Sequence, residues 1–272
     1  MAFLTVLPDP STKRSYWGAK DDTGDPGPGF SSVKLTSDQK VMLSRTNSQR
    51  VISRTAGGQK WDIDIGYHPM TRAEFNPVYT FLLQQRGPLT PFFVELPQYA
   101  SSQNALFNTD TNESGDATYN TNTFATTGVE AAGSTSVVLT QPADWCLKTA
   151  AGVDIKAANS NTTEEPFNIP AVGDICSFTD TSNSNHAKVY MVTYIETYYK
   201  YTTLPSTGNG EATDSRRIRV GITPPLAKSV SSGSIVKFKG VQFKVILPKA
   251  VREYSLGTDN LYKFNLKLEE YL

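Results

Sequence analysis

Apolar and polar positions alternate most strictly over Trp61-Asp62-Ile63-Asp64-Ile65-Gly66-Tyr67. Trp61, Ile63, Ile65 and Tyr67 share one face; Asp62, Asp64 and Gly66 share the other. Successive side chains of an extended chain point to opposite sides, so this pattern predicts a strand with one face in a core. The same period returns near the end of the chain. Val241, Phe243, Val245 and Leu247 fall on one face of a second strand, and Tyr262, Phe264, Leu266 and Leu268 on one face of a third, opposite Lys263, Asn265, Lys267 and Glu269. Shorter strands are predicted at Lys40–Arg45, at Arg50–Arg54 and at Phe92–Leu96, where Pro97 stops the ladder.

The period changes to that of a helix once. Phe75, Val78, Tyr79, Leu82 and Leu83 recur at i, i+3, i+4, i+7 and i+8 and make one apolar stripe. Thr71-Arg72-Ala73-Glu74 is a capping-box pattern, flanked by Met70 and Phe75 as a hydrophobic staple. Arg86, Gly87 and Pro88 end the element, which therefore spans about 71–86. Pro77 is awkward inside a helix capped at Thr71, and predicts either a kink there or a start with Asn76 as the cap.

Elsewhere the pattern is weaker. Residues 1–40 read as an extended arm with little regular structure, dense in turn residues over Asp21–Gly29. The aspartates of that stretch lack the spacing and the closing Glu of a calcium loop. Residues 101–135 are rich in Ser, Thr, Asn and Asp. Beyond them short strands are predicted at Ser136–Leu139, Asp174–Phe178, Lys188–Tyr194, Arg217–Ile222 and Ser234–Phe238, separated by Gly, Pro and Asn turns, as in a small sandwich or barrel. The fold expected is mainly β: a discontinuous domain of residues 1–100 plus 235–272, carrying one flanking helix, with a small β-domain inserted at 101–234. The echo of Val94-Glu95-Leu96-Pro97 in Val245-Ile246-Leu247-Pro248 is too short to establish a repeat.

Charge sharpens that division. The chain has 26 basic and 26 acidic residues in 272. Residues 1–100 and 235–272 together hold 18 basic and 13 acidic groups, whereas residues 101–234 hold 8 and 13. Zero net charge argues against a nucleic-acid binder working through a basic surface, and only 19% charged residues favours association over life as a monomer. One local exception stands out. No acid lies between Asp38 and Asp62, while Arg45, Arg50, Arg54 and Lys60 do. This is either a solvated sheet face or a basic strip for a partner.

Candidate chemistry is sparse. The start, Met1 to Pro8, lacks the basic region of a secretory signal, and no apolar run approaches the ~18 residues of a membrane span. Cys146 and Cys176, His68 and His186 show no metal-ligand spacing, and the cysteines are expected to be free and buried. No nucleophile elbow, phosphate loop or dinucleotide motif occurs. His68, before Pro69, suits a turn or a packed site, and His186 is expected to be exposed in an Asn/Ser-rich turn. Glu164-Glu165 fits a solvated loop better than a glycosidase pair, which must face each other across a bond. No catalytic residue, cofactor or metal is therefore expected. The run Tyr194, Tyr198, Tyr199, Tyr201 could stack sugars, as in a carbohydrate-binding module, or form a protein interface.

The order of motifs resembles a group of tailed-bacteriophage tail proteins. It runs through Ser44-Arg45-Thr46, Gly57-Gly58-Gln59-Lys60-Trp61-Asp62-Ile63, Tyr67-His68-Pro69-Met70-Thr71-Arg72-Ala73-Glu74-Phe75, Phe81-Leu82 and Phe92-Phe93-Val94-Glu95-Leu96-Pro97. The middle adds Gly173-Asp174-Ile175, Lys188–Thr193, Ile222-Thr223-Pro224-Pro225-Leu226 and Gly233-Ser234-Ile235-Val236, and the end adds Tyr262–Glu270. The resemblance implies a tail-tube-like β-sandwich or barrel in a structural virion protein, assembled in the bacterial cytoplasm. Such a protein forms a ring, six-fold in the favoured form, at the distal tail or baseplate hub. It joins the tube to baseplate or fibre components and does no chemistry; a terminator, connector or baseplate wedge is the alternative within the tail. Ring closure needs heterologous contacts. The residues expected to serve them are Arg45, Arg50, Arg54, Trp61, Arg72, Tyr198 and Tyr199, with the arm ordering on a neighbouring subunit.

Overall fold

The computed structural model describes residues 5–8, 29–55, 58–109, 124–140, 169–180, 186–197, 217–249, 254–257 and 259–271. The chain is mainly β. It begins with β1 (Phe30–Asp38), β2 (Val41–Arg45), β3 (Val51–Thr55), β4 (Lys60–Tyr67), α1 (Arg72–Gln84) and β5 (Phe92–Glu95). A second unit holds the five-residue helix α2 (Ala105–Thr109), β6 (Phe124–Thr126), β7 (Ser136–Thr140), β8 (Ile175–Thr179), β9 (Val189–Thr197), β10 (Arg217–Thr223) and β11 (Ile235–Lys237). The chain then returns for β12 (Gln242–Ile246), β13 (Ser255–Leu256), β14 (Tyr262–Lys263) and β15 (Asn265–Glu270). The two compact units are Met1–Glu95 with Phe243–Leu272, and Leu96–Gln242.

The discontinuous unit is built on a five-stranded sheet of order β1-β4-β15-β12-β5. β4 sits between β1 and β15, antiparallel to both, with Ile63 opposite Leu35 on one side and Leu268 on the other. One face of four of the five strands is apolar and buried: Trp61, Ile63 and Ile65 on β4, Leu266 and Leu268 on β15, Phe243 and Val245 on β12, Phe92 and Val94 on β5; on β1, Phe30, Val33 and Leu35 are half-buried. Helix α1 covers this face, with Phe75 against Phe264 and Phe81 edge-on to Phe92. Burying such aromatic side chains contributes roughly 1.5–3 kcal/mol each. The echo between residues 94–97 and 245–248 reflects two strands adjacent in the sheet with the same inward phase.

Several expectations change here. Residues 30–38 are not arm but a nine-residue edge strand, and Val6 bridges Phe93 in parallel at the other side of the sheet, with Leu7 buried. Residues 9–28 lie outside the described residues. Helix α1 runs unbroken from Arg72 through Pro77. Its first turn is fixed by the Glu74 carboxylate, which accepts hydrogen bonds from the Thr71 N–H and hydroxyl, both at 2.8 Å. The buried stripe is Phe75, Val78, Phe81 and Leu82; Leu83 faces solvent.

The inserted unit is a closed six-stranded barrel of order β10-β7-β6-β11-β8-β9. β11 pairs with both β6 and β8, so residues 235–242 belong to this unit rather than to the discontinuous one. Closure needs a partner on each side of every strand, and sequence alternation does not reveal which strand supplies it. The barrel is filled by Phe107, Phe124, Phe178, Tyr190, Phe238 and smaller aliphatics.

Three turns of one design feed β7, β8 and β11. They are Ala131-Ala132-Gly133-Ser134, Ala171-Val172-Gly173-Asp174 and Ser231-Ser232-Gly233-Ser234. In each, the fourth residue's N–H donates to the first residue's carbonyl, and the glycine has φ of +88°, +96° and +79° respectively. That backbone region is open to glycine and costly for other residues. Each glycine N–H also donates across to Leu226, Val192 or Thr126, whose own N–H returns a bond to the residue after the glycine.

Candidate assembly surface

The connection between β1 and β4 is where the first unit departs from an ordinary packed domain. β1 and β4 are paired down to Asp38 opposite Lys60, and between those residues the chain makes the β2–β3 hairpin. Its register places Met42 opposite Arg54, Ser44 opposite Ile52 and Arg45 opposite Val51. Thr46 and Arg50 close the turn through the Arg50 carbonyl. Alternation along paired strands then sorts the side chains into two faces. Even-numbered positions bring together Lys40, Met42, Ser44, Arg50, Ile52 and Arg54. Odd-numbered positions bring together Val41, Leu43, Arg45, Val51 and Ser53.

Both faces expose large apolar side chains. Val41, Met42, Leu43, Val51 and Ile52 are each 48–70% exposed. A two-stranded hairpin alone is marginal in water at best, and contiguous exposed apolar side chains mark association surfaces. The two short strands expected here are present, and both of their sides are left exposed.

The sheet's outer face offers the opposite charge. Asp62 on β4 lies opposite Glu269 on β15 and Thr36 on β1, and Asp38 lies opposite Lys60. Lys60 Nζ bonds Glu269 Oε1 at 2.8 Å, and this pairing raises the lysine pKa. Partial burial first, then the nearby carboxylates of Glu269, Asp38 and Asp64, push the Asp62 carboxyl above its usual value. Asp64, one step along, sits between Lys34 and Lys267 across the two ladders. The local excess of negative charge is therefore at Asp38, Asp62 and Glu269, against Lys60 alone.

Of the residues expected to serve assembly, Arg45, Arg50 and Arg54 stand exposed on the hairpin, and Arg72 is exposed at the first position of α1. Trp61 does not belong with them. It is 4% exposed on the core face of β4, so its ring is spent inside the sheet, and its backbone N–H donates to the buried Glu270 carboxylate at 3.1 Å. Tyr198 and Tyr199 lie outside the described residues. Tyr194, from the same tyrosine run, lays its ring on Gly221.

The buried polar groups of the barrel unit hold backbone. Asp174 accepts from the N–H groups of Gln103 and Ala171, at 2.9 and 2.8 Å, and from the Ser102 hydroxyl. His186 is not exposed, as expected from its neighbours, but buried, with Nε2 2.8 Å from the Tyr190 hydroxyl, which accepts from the Ala227 N–H. His68 is exposed. Cys176 is free and buried; Cys146 lies outside the described residues. Among the described residues no group of three or more His, Cys, Asp or Glu is placed to hold a metal ion, and no helix is long and apolar enough to cross a membrane.

Compared with known proteins, the chain matches no family model and no curated protein.

Proposed function

We propose that this chain is a structural protein of a phage tail, forming a homo-oligomeric ring, six-fold in the favoured form, at the distal tail or baseplate hub, where it joins the tube to baseplate or fibre components. The observation that carries the assembly part is the bare β2–β3 hairpin, five large apolar side chains and three arginines held in water by a chain with zero net charge. Such an element gains stability only when another surface covers it. The place in the tail rests on the resemblance of residues 44–97 and 173–270 to tail proteins. An edge strand as long as β1 supports the same reading, because its outer backbone groups are open to pairing in a neighbouring subunit.

Sedimentation and negative-stain electron microscopy of the purified chain test this. Closed rings are expected, with the protein found at the distal tail by antibody labelling of particles. A chain that stays monomeric at every concentration, or that turns over a substrate alone, overturns it.

A further inference from the structure

We infer that the even-numbered face of the β2–β3 hairpin docks on the outer face of the five-stranded sheet of a second copy of this chain, with Lys40, Arg50 and Arg54 against Asp38, Asp62 and Glu269. This rests on the proposed assembly and names the surface that makes it.

The two surfaces are complementary in charge. The hairpin's even face carries three cations and no acid, flanking Met42 and Ile52. At one end of the sheet's outer face Asp38, Asp62 and Glu269 surround one lysine, Lys60, which Glu269 engages, while further along Asp64 is balanced by Lys34 and Lys267. The like charges opposed across the ladder at Asp62 and Glu269 are unfavourable in the isolated subunit. A cation from outside relieves that repulsion. The Asp62 pKa is raised first by partial burial and then by Glu269, Asp38 and Asp64, with Lys60 offsetting only part of it, in keeping with an excess of negative charge at this corner of the sheet.

Among the described residues no ion pair joins Lys40, Arg50 or Arg54 of the hairpin to these carboxylates. The same copy therefore carries both halves of the contact, the hairpin and the sheet face, as a heterologous interface that closes into a ring or propagates requires. Arginine suits the role, because its planar fork meets a carboxylate through two parallel hydrogen bonds.

Charge reversal on the full chain tests this. R50E/R54E and D38R/D62R are each expected to weaken self-association by about tenfold or more, as like charges meet across the contact. The chain carrying all four changes is expected to recover most of that loss. Circular dichroism checks that each variant folds, and the milder R50Q/R54Q is expected to lower both the association constant and its salt dependence. Normal assembly of either reversal variant, failure of the folded fourfold variant to recover, or an unchanged salt dependence in R50Q/R54Q overturns the inference while leaving the ring proposal standing. A wild-type chain that never associates overturns both.

Discussion

The ring of Tyr194 lies directly over the backbone of Gly221. The two residues are paired across β9 and β10, next to a register shift between Gly221 and Ile222. A Cβ built on Gly221 falls 2.1 Å from Tyr194 Cε1 and 2.2 Å from Cδ1. The tyrosine thus fills the space that the absent side chain leaves on the barrel surface.

Gly221→Ala should push the ring off the strand and destabilise the barrel unit by about 1–3 kcal/mol. Tyr194→Ala should cost about 1 kcal/mol through the lost cross-strand contact. Because both changes remove one interaction, the double variant should cost less than their sum. Urea unfolding of the four chains, with hydrogen exchange of β9 and β10 peptides to localise the effect, checks this. Strict additivity would show that the ring and the glycine act independently.

Cys176 gives a prediction about reactivity. Burial in the barrel interior, with a smaller push from the Asp174 carboxylate, raises its thiol pKa far above the ordinary value. The thiolate is the reactive form, so the folded protein should resist alkylation there. In a Cys146→Ser background, Ellman's reagent at pH 8 should find almost no thiol until urea unfolds the chain. Rapid labelling under native conditions would place Cys176 at an accessible site instead.

How much of this was legible in the sequence depends on what each residue's environment is made of. β4, β12, β15 and α1 could be read because their partners are the core itself, and a core imposes a period. β1 could not: of Phe30-Ser31-Ser32-Val33-Lys34-Leu35, Phe30, Val33 and Leu35 are half-buried, a register shift between Phe30 and Ser32 breaks their period, and an edge strand needs one partner rather than a continuous apolar face. In the stripe of α1 Phe81 is buried in place of Leu83, because i+6 and i+8 flank the same line and packing decides between them. The basic strip was visible, but nothing in the sequence told that the apolar residues beside it, Val41, Met42, Leu43, Val51 and Ile52, would also stand exposed. His186 was misjudged because its Asn/Ser neighbours predict solvent, whereas Tyr190, four residues on, draws the ring inside. The three matched turns were present as Gly133-Ser134, Gly173-Asp174 and Gly233-Ser234; what hid them was the unequal chain length between them.

His186 carries a pH prediction. Burial first, then the Lys228 charge, lowers its pKa, with Asp180 acting weakly the other way. A group whose folded pKa lies below its unfolded one binds fewer protons when folded, so stability rises with pH through that range. The barrel should therefore hold its full stability above the ordinary histidine value of about 6.5 and lose some as pH falls below it. His186→Gln should remove that part of the slope: the gap between wild type and variant, measured by urea unfolding, should narrow from pH 7.5 to pH 5.5. A gap that stays constant would mean that His186 does not titrate against folding.

The three turns of the barrel unit predict a pattern of coupling. At Gly133 and Gly233 an added Cβ meets nothing within 4 Å, and at Gly173 only Gln103 Nε2 at 3.7 Å, so alanine has room at each. The cost is then backbone alone, about 1–2 kcal/mol for an alanine held at positive φ, and it should be similar at all three sites. Asparagine, which tolerates this region better, should cost less. The turns are not equally independent, however. Glu130 and Val230, which precede the first and third turns, exchange two backbone hydrogen bonds at 2.9 Å, and the Val138 N–H donates to Glu130 Oε1. Strain released at Gly133 is therefore transmitted to the turn at Gly233, whereas the Gly173 turn is anchored separately by Asp174. Gly133→Ala and Gly233→Ala should combine non-additively, by about 0.5 kcal/mol or more, and Gly173→Ala should add to either within about that margin. Equal additivity of all three pairs would show that the Glu130–Val230 bridge carries no load between the turns.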